Sequence, residues 1–173
     1  MKAKSFSHIF TSTKNPTKKF EIKFYTAEDI DEVATLTTKT FVEREPLSVF
    51  MGWTNNDIFS LFKSATEQAV EDSMGVKCID LETRKLAVTL TSYDVYNQKH
   101  RPTEGKDIGA NEQVDEILDP LKKDDSLDPK QFNDLFEVLA LACTEEYTGL
   151  GVAFETFAWT IKHHPILSIK QKH

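Results

Sequence analysis

The chain holds 173 residues, with 21 Lys+Arg against 28 Asp+Glu, 39% hydrophobic and 10% aromatic residues, 6 Gly, 6 Pro and 2 Cys. That length fits one globular domain of roughly 100–200 residues. The plentiful aromatic and β-branched residues exclude general disorder, and no stretch approaches the ~20 apolar residues of a membrane-spanning helix. A net charge of −7 argues against phosphate-backbone binding, which relies on Lys and Arg, so neither nucleic acid nor membrane is expected as a partner.

Two cysteines are too few for a disulfide framework. Cys78 (VKCID) and Cys143 (LALACT) lie in apolar runs and read as small reduced hydrophobes, which places the chain in the cytoplasm. Residues 1–19 contain Lys2, Lys4, Lys14, Lys18 and Lys19 and no acid, but no Arg, and are expected to form a disordered tail ahead of a domain over 20–173.

FEIKFY (Phe20 to Tyr25) alternates and predicts a first strand. Thr26 with Asp29 offers a helix start, and Ile30, Val33, Ala34, Thr37 and Phe41 recur at helical spacing. Pro46 disfavours helical backbone at Glu45, so this helix is expected to end before EREPL. Thr54 with Asp57 opens a second helix with Ile58, Leu61, Phe62, Ala65 and Ala69 on one face, which Gly75 should close. VKCIDL and KLAVTLTSYDVY, separated by ETR, predict a hairpin. From 97 to 134 the composition turns to Asp, Glu, Lys and Pro, the mark of an insertion, loop or lid. LFEVLALACT (Leu135 to Thr144) is nearly continuously apolar, the pattern of a strand covered on both faces. A helix follows with Phe154, Phe157, Ala158 and Ile161 on one side, ended by His163, His164 and Pro165; ILSI would begin one more strand.

The segment LALACTEEYTGLGVAFETFAW runs a buried strand into a two-glycine turn that opens a helix. Free N–H groups in a first helical turn carry partial positive charge and suit an anion. Gly149 and Gly151 leave room for a phosphate to approach the backbone, although a tight strand-to-helix connection needs glycine as well. A P-loop requires Lys after the second glycine, and none follows Gly151. The dinucleotide fingerprint would place its third glycine at Phe154 and want an acid about 20 residues downstream, where none exists.

These residues resemble the GNAT family of acetyl-coenzyme A-dependent N-acetyltransferases, whose signature is a strand ending in a "LaV" element followed by [QR]-x-x-G-x-[GA]. Leu141, Ala142 and Cys143 match the strand element. Thr148, Gly149, Leu150, Gly151, Val152 and Ala153 match the turn, with Thr148 where Gln or Arg is usual. The resemblance implies an α/β fold with a mixed, mostly antiparallel sheet flanked by helices. It also implies backbone N–H groups of 148–153 cradling the coenzyme A pyrophosphate and a strand backbone beside the pantetheine arm. TFVEREPLSVF is similar to the F-x-x-x-E-P-L segment of the arylalkylamine (dopamine-type) N-acetyltransferases, which also carry an insertion like 97–134. In that group the acid matching Glu45 is the general base.

Independently, an alkylamine is protonated at neutral pH, and a carboxylate whose pKa is raised by burial can accept its proton. Leu47, Phe50, Met51 and Trp53 would make such a site apolar. On the residues alone, Glu43, Arg44 and Glu45 also fit a solvated helix end, with Phe50 and Trp53 in the core. His163 and His164 diverge by about 100° on a helix and cannot share a metal, and EILDPLKKDDSLD lacks the EF-hand pattern, so no metal is expected. The resemblance implies further C-terminal strands past His173 that this sequence does not contain, hence an incomplete sheet, whether by truncation, by a partner chain that completes it or by a degenerate fold. Its exposed edge would aggregate or pair with a partner, a second copy among them. Two functions follow as expectations. One is acetyl transfer from acetyl-coenzyme A to an arylalkylamine- or polyamine-like primary amine, with Glu45 as base; the other is an inactive acyl-coenzyme A-binding or protein-interaction relic of the fold.

Overall fold

The computed structural model describes residues 7–94 and 136–163. Strands β1 (Ser7–Thr11), β2 (Lys19–Phe24), β3 (Gly75–Asp80), β4 (Leu86–Asp94) and β5 (Phe136–Cys143) form one sheet in sequence order, and every pairing is antiparallel. Helices α1 (Ile30–Arg44), α2 (Pro46–Met51) and α3 (Asn55–Glu71) follow β2, and α4 (Val152–His163) follows β5. The expected α/β architecture with helices on both faces is present. On one face Tyr25, Val33, Ala69, Ile79 and Leu86 pack beneath α1 and α3. On the other Phe20, Ile22, Val76, Cys78, Val88 and Leu90 meet Tyr147, Val152 and Trp159. The expected insertion (97–134) and the ILSI strand lie outside the described residues.

Both helix starts read from the sequence are made. The amide and hydroxyl of Thr26 donate to Asp29 Oδ2 at 2.8 and 2.9 Å, opening a short 3-10 turn (Ala27–Asp29) that leads into α1. Thr54 donates to Asp57 Oδ2 in the same way at 2.6 and 2.7 Å. Such reciprocal caps satisfy amides that a helix end leaves orphaned.

Five expectations need correction. Residues 7–19 are not a tail: β1 pairs residue by residue with β2, and Phe10 stacks on Phe20 at 5.6 Å. Its Ser/Thr/Lys-rich flanks hide a five-residue strand. The first helix runs to Arg44, inside EREPL, because Pro46 restricts only Glu45, which is extended (φ −78°, ψ 124°). Gly75 does not close α3. Ser73 takes the left-handed position (φ 57°), while Gly75 begins β3 with its α-carbon against the Tyr25 ring.

Strand β5 is not covered on both faces. It ends the sheet among the described residues, and Leu141 is 39% exposed. The inward face of α4 is Val152, Thr156, Trp159 and Thr160, not the face of Phe154 (72% exposed) and Ile161 (40% exposed). Thr156 and Thr160 are buried because their hydroxyls donate to the carbonyls of Val152 and Thr156 at 2.8 Å each, which satisfies the polar group without water.

The β3–β4 hairpin ties the sheet to the segment before α4. Asp80, wholly buried, accepts from Lys18 Nζ (2.9 Å) and from the N–H of Glu82 (2.9 Å). Lys18 also lies 5.5 Å over the Tyr147 ring, whose hydroxyl meets Thr83. Burial alone would push the Asp80 carboxyl up, but these donors hold it down at about 2, below its ordinary 3.8. A group depressed in the folded state stabilises above its unfolded pKa and loses that contribution as pH falls. Acid unfolding should therefore remove about 2 kcal/mol between roughly pH 4 and pH 2. Urea titrations of wild type and Asp80→Asn across that window check this, and the variant should lack that segment of pH dependence.

Candidate functional site

Strand β5 ends at Cys143, a 3-10 turn (Glu145–Tyr147) follows, and the chain enters α4 through Thr148–Gly151. Gly149 and Gly151 both have left-handed backbone, φ +80° and +78°. The turn is supported from below. Tyr147 is buried against Phe20, and Ser12 Oγ donates to the Leu150 carbonyl at 2.8 Å while accepting the amides of Lys14 and Asn15. Thr148 N–H bonds Glu145 O and Leu150 N–H bonds Tyr147 O, and the first helical bond runs from Glu155 N–H to Gly151 O. Among the described residues the N–H groups of Gly149, Gly151, Val152, Ala153 and Phe154 meet no backbone or side-chain acceptor. A Cβ at Gly149 would stand in open space, so the turn faces outward. The side chains divide differently: Val152 is fully buried, and Leu150 and Ala153 rest on the core.

Beside the end of β5 a cavity of about 290 Å³ is lined by Thr40, Phe41, Arg44 and Glu45 from the α1–α2 junction and by Leu141 and Cys143 from β5. Three of the residues singled out from the sequence thus share one hollow. Ala142, between them, is fully buried, and residues 148–153 do not line the cavity. The link between the hollow and the turn is Arg44. Its Nη1 donates to the Cys143 carbonyl at 3.2 Å and to Thr148 Oγ1 at 3.3 Å.

Glu45 caps α2. Its Oε1 accepts from Leu47 N–H (3.0 Å), and its Oε2 accepts from Ser48 N–H (2.6 Å) and the Ser48 hydroxyl (2.8 Å). Burial pushes its carboxyl up, but these three donors outweigh it and hold Glu45 below the ordinary carboxylate range. The expectation that burial raises this pKa is corrected: the start of α2, invisible in the sequence periodicity, stabilises the anion. Burial pushes the Cys143 thiol up, so it is not primed as a nucleophile. Phe50 is 83% exposed on α2, and Trp53 packs partly against Ile58, Phe62 and Ala140.

Sequence reading missed Ser12, Thr40 and Arg44. Ser12 and Arg44 act through partners about a hundred or more positions away, a distance no local pattern reports.

No protein-family model matches the sequence, and no curated protein matches it. Solved structures do. The C-terminal condensation domain of Ebony, in complex with beta-alanyl-dopamine, is 18% identical with a TM-score of 0.64; the match covers 90% of this chain and 71% of that one. Arylalkylamine N-acetyltransferase 2 from Aedes aegypti is 16% identical with a TM-score of 0.64, covering 89% and 72%. Arylalkylamine N-acetyltransferase 7 from the yellow fever mosquito is 13% identical with a TM-score of 0.62, covering 87% of this chain, which spans only 65% of its length. At such identities the likeness concerns the backbone: the chain has the GNAT-like fold of the arylalkylamine N-acetyltransferases.

Proposed function

We propose that the protein transfers an acetyl group from acetyl-coenzyme A to a primary amine of arylalkylamine or polyamine type. One observation carries this reading: a hollow holding a carboxylate lies at a strand end and is linked through Arg44 to a glycine turn whose N–H groups meet no acceptor among the described residues. The amines named for the structural neighbours support the acceptor class. Acetyl-coenzyme A, when bound, would supply a thioester carbonyl for attack. The N–H groups of Gly149, Gly151, Val152 and Ala153, with those of Thr148 and Leu150 holding the turn's shape, form the cradle for its pyrophosphate. Leu141, Ala142 and Cys143 present the strand backbone to the pantetheine arm.

Glu45 is ionised across the neutral range, so it attracts an alkylammonium and accepts its proton directly or through water. Acetyl transfer would then exchange the thioester C–S bond for an amide C–N bond, with the second proton lost by the amine nitrogen passing to the leaving thiolate. Because Glu45 is held low, it does not titrate near neutrality. The rise of kcat/KM with pH should follow the pKa of each amine and move with it across a panel. Thiol release with aryl- and polyamines tests the activity. Glu45→Gln should lower kcat by about 10²–10⁴-fold at pH 7 with coenzyme A affinity retained; equal rates in both proteins remove Glu45 from the mechanism.

A second reading, an acyl-coenzyme A-binding module without turnover, is favoured by one observation: both oxygens of Glu45 are already engaged by α2. Coenzyme A binding without thiol release for any amine selects it. Both thiols are unpaired and no helix among the described residues is long and apolar enough to cross a membrane, which supports the cytoplasm as the working compartment.

A further inference from the structure

Arg44 is the junction residue that the foregoing reading leaves without a task. Among the described residues its guanidinium makes no ion pair: its two bonds go to a carbonyl and a hydroxyl, both uncharged. The neighbouring cations are differently placed, since Lys18 is paired with Asp80 and Lys85 with Glu146. Of the two acids that flank Arg44 in sequence, Glu45 is committed to the amides of α2 and Glu43 makes no ion pair among the described residues. A guanidinium has five N–H donors, and the bonds from Nη1 leave Nη2 and Nε without a carboxylate, a planar pair suited to phosphate oxygens. The exposed side chain reaches Thr148, the first residue of the glycine turn, in a protein whose net charge of −7 repels anions.

We infer that Arg44 is a phosphate-reading residue of the coenzyme site, delivering from α1 a charged donor that position 148, a threonine, cannot provide. This rests on the coenzyme A reading above. The turn offers uncharged N–H groups of fixed position; Arg44 adds a positive charge at their edge, so that a phosphate-bearing donor is preferred over a bare thioester. Its bonds to Cys143 and Thr148 hold the side chain beside the turn before the ligand arrives, which lowers the ordering entropy of binding.

Calorimetric titration of wild type, Arg44→Gln and Arg44→Lys with coenzyme A and with pantetheine, which lacks the phosphates, tests this. Arg44→Gln should weaken coenzyme A by about ten- to hundredfold and flatten its salt dependence, while pantetheine weakens by less than about twofold; Arg44→Lys should recover part of the loss, because it keeps the charge without the planar fork. Equal coenzyme A affinity in wild type and Arg44→Gln overturns the role of Arg44 and leaves the coenzyme reading intact. Equal losses for both ligands also overturn it, because a merely structural part would damage the arm site and the phosphate site together. No binding of coenzyme A to wild type overturns the coenzyme reading itself.

Discussion

Gly75→Ala should be among the most destabilising single-methyl additions in this chain. A Cβ at Gly75 would stand 1.9 Å from Tyr25 Cδ2 and 2.3 Å from Cε2, far inside contact distance. The Tyr25 ring is buried with Val33, Ala69, Ile79 and Leu86, and its hydroxyl lies 3.3 Å from Thr91 Oγ1, so it has little room to retreat. The backbone cannot give either, since Tyr25 N–H donates to the Gly75 carbonyl at 2.9 Å. Overpacking of this kind costs about 3 kcal/mol, near the upper end of its usual range. Thermal unfolding should show a melting point lower by roughly 6–12 °C, as expected for a chain of this size. A shift under about 2 °C would mean that Tyr25 is not fixed as described.

Gly151→Val should have the largest effect on ligand binding. Gly151 sits at φ +78°, where a β-branched residue is strained by about 1–3 kcal/mol. Its Cβ would also come within 3.3 Å of Thr13 Oγ1, pushing on the loop that pins Leu150 through Ser12. Strain and contact together would displace the turn and with it the N–H groups of 151–153 that the proposed cradle needs in place. On the proposed function, saturating coenzyme A at about a hundred times its Kd should raise wild-type stability by ~2.7 kcal/mol, and the resulting melting-point rise should vanish in Gly151→Val. Gly149→Ala separates strain from contact: it has a similar φ of +80° but its Cβ meets no neighbour, so it should cost less stability than Gly151→Val.

Local chemistry made much of the fold legible. Thr26 with Asp29 and Thr54 with Asp57 start helices by bonds that span three residues, and the β3–β4 hairpin is announced by alternation around a polar turn. Where the reading failed, a non-local partner decided. Gly75 looked like a helix stop because glycine commonly is one, but Tyr25 from another element claims the space. The apolar side of α4 was read through Phe154 and Ile161, yet back-bonding to the helix carbonyls lets Thr156 and Thr160 face the core instead. A five-residue strand among lysines and serines gained its place from pairing with β2.

The site divides in the same way. The glycine turn and the strand ahead of it were visible as a string of residue types, whereas Glu45 was singled out by the resemblance of its EPL segment, the residues alone fitting a solvated helix end as well. The cap that lowers the Glu45 pKa depends on α2 forming at Pro46, and the bridge made by Arg44 depends on packing α1 against β5. Neither leaves a mark in spacing or periodicity. The correction to Glu45 also alters the chemistry expected of it, from a base tuned toward neutrality to one that stays ionised across the neutral range.

The account turns on which atoms meet the coenzyme. Coenzyme A titrated into uniformly 15N-labelled protein, followed by amide resonances, measures this directly. The N–H signals of Gly149, Gly151, Val152 and Ala153 should move most and saturate together, with those of the buried β3 strand unmoved. Saturable binding that leaves these four signals in place and shifts others would contradict it.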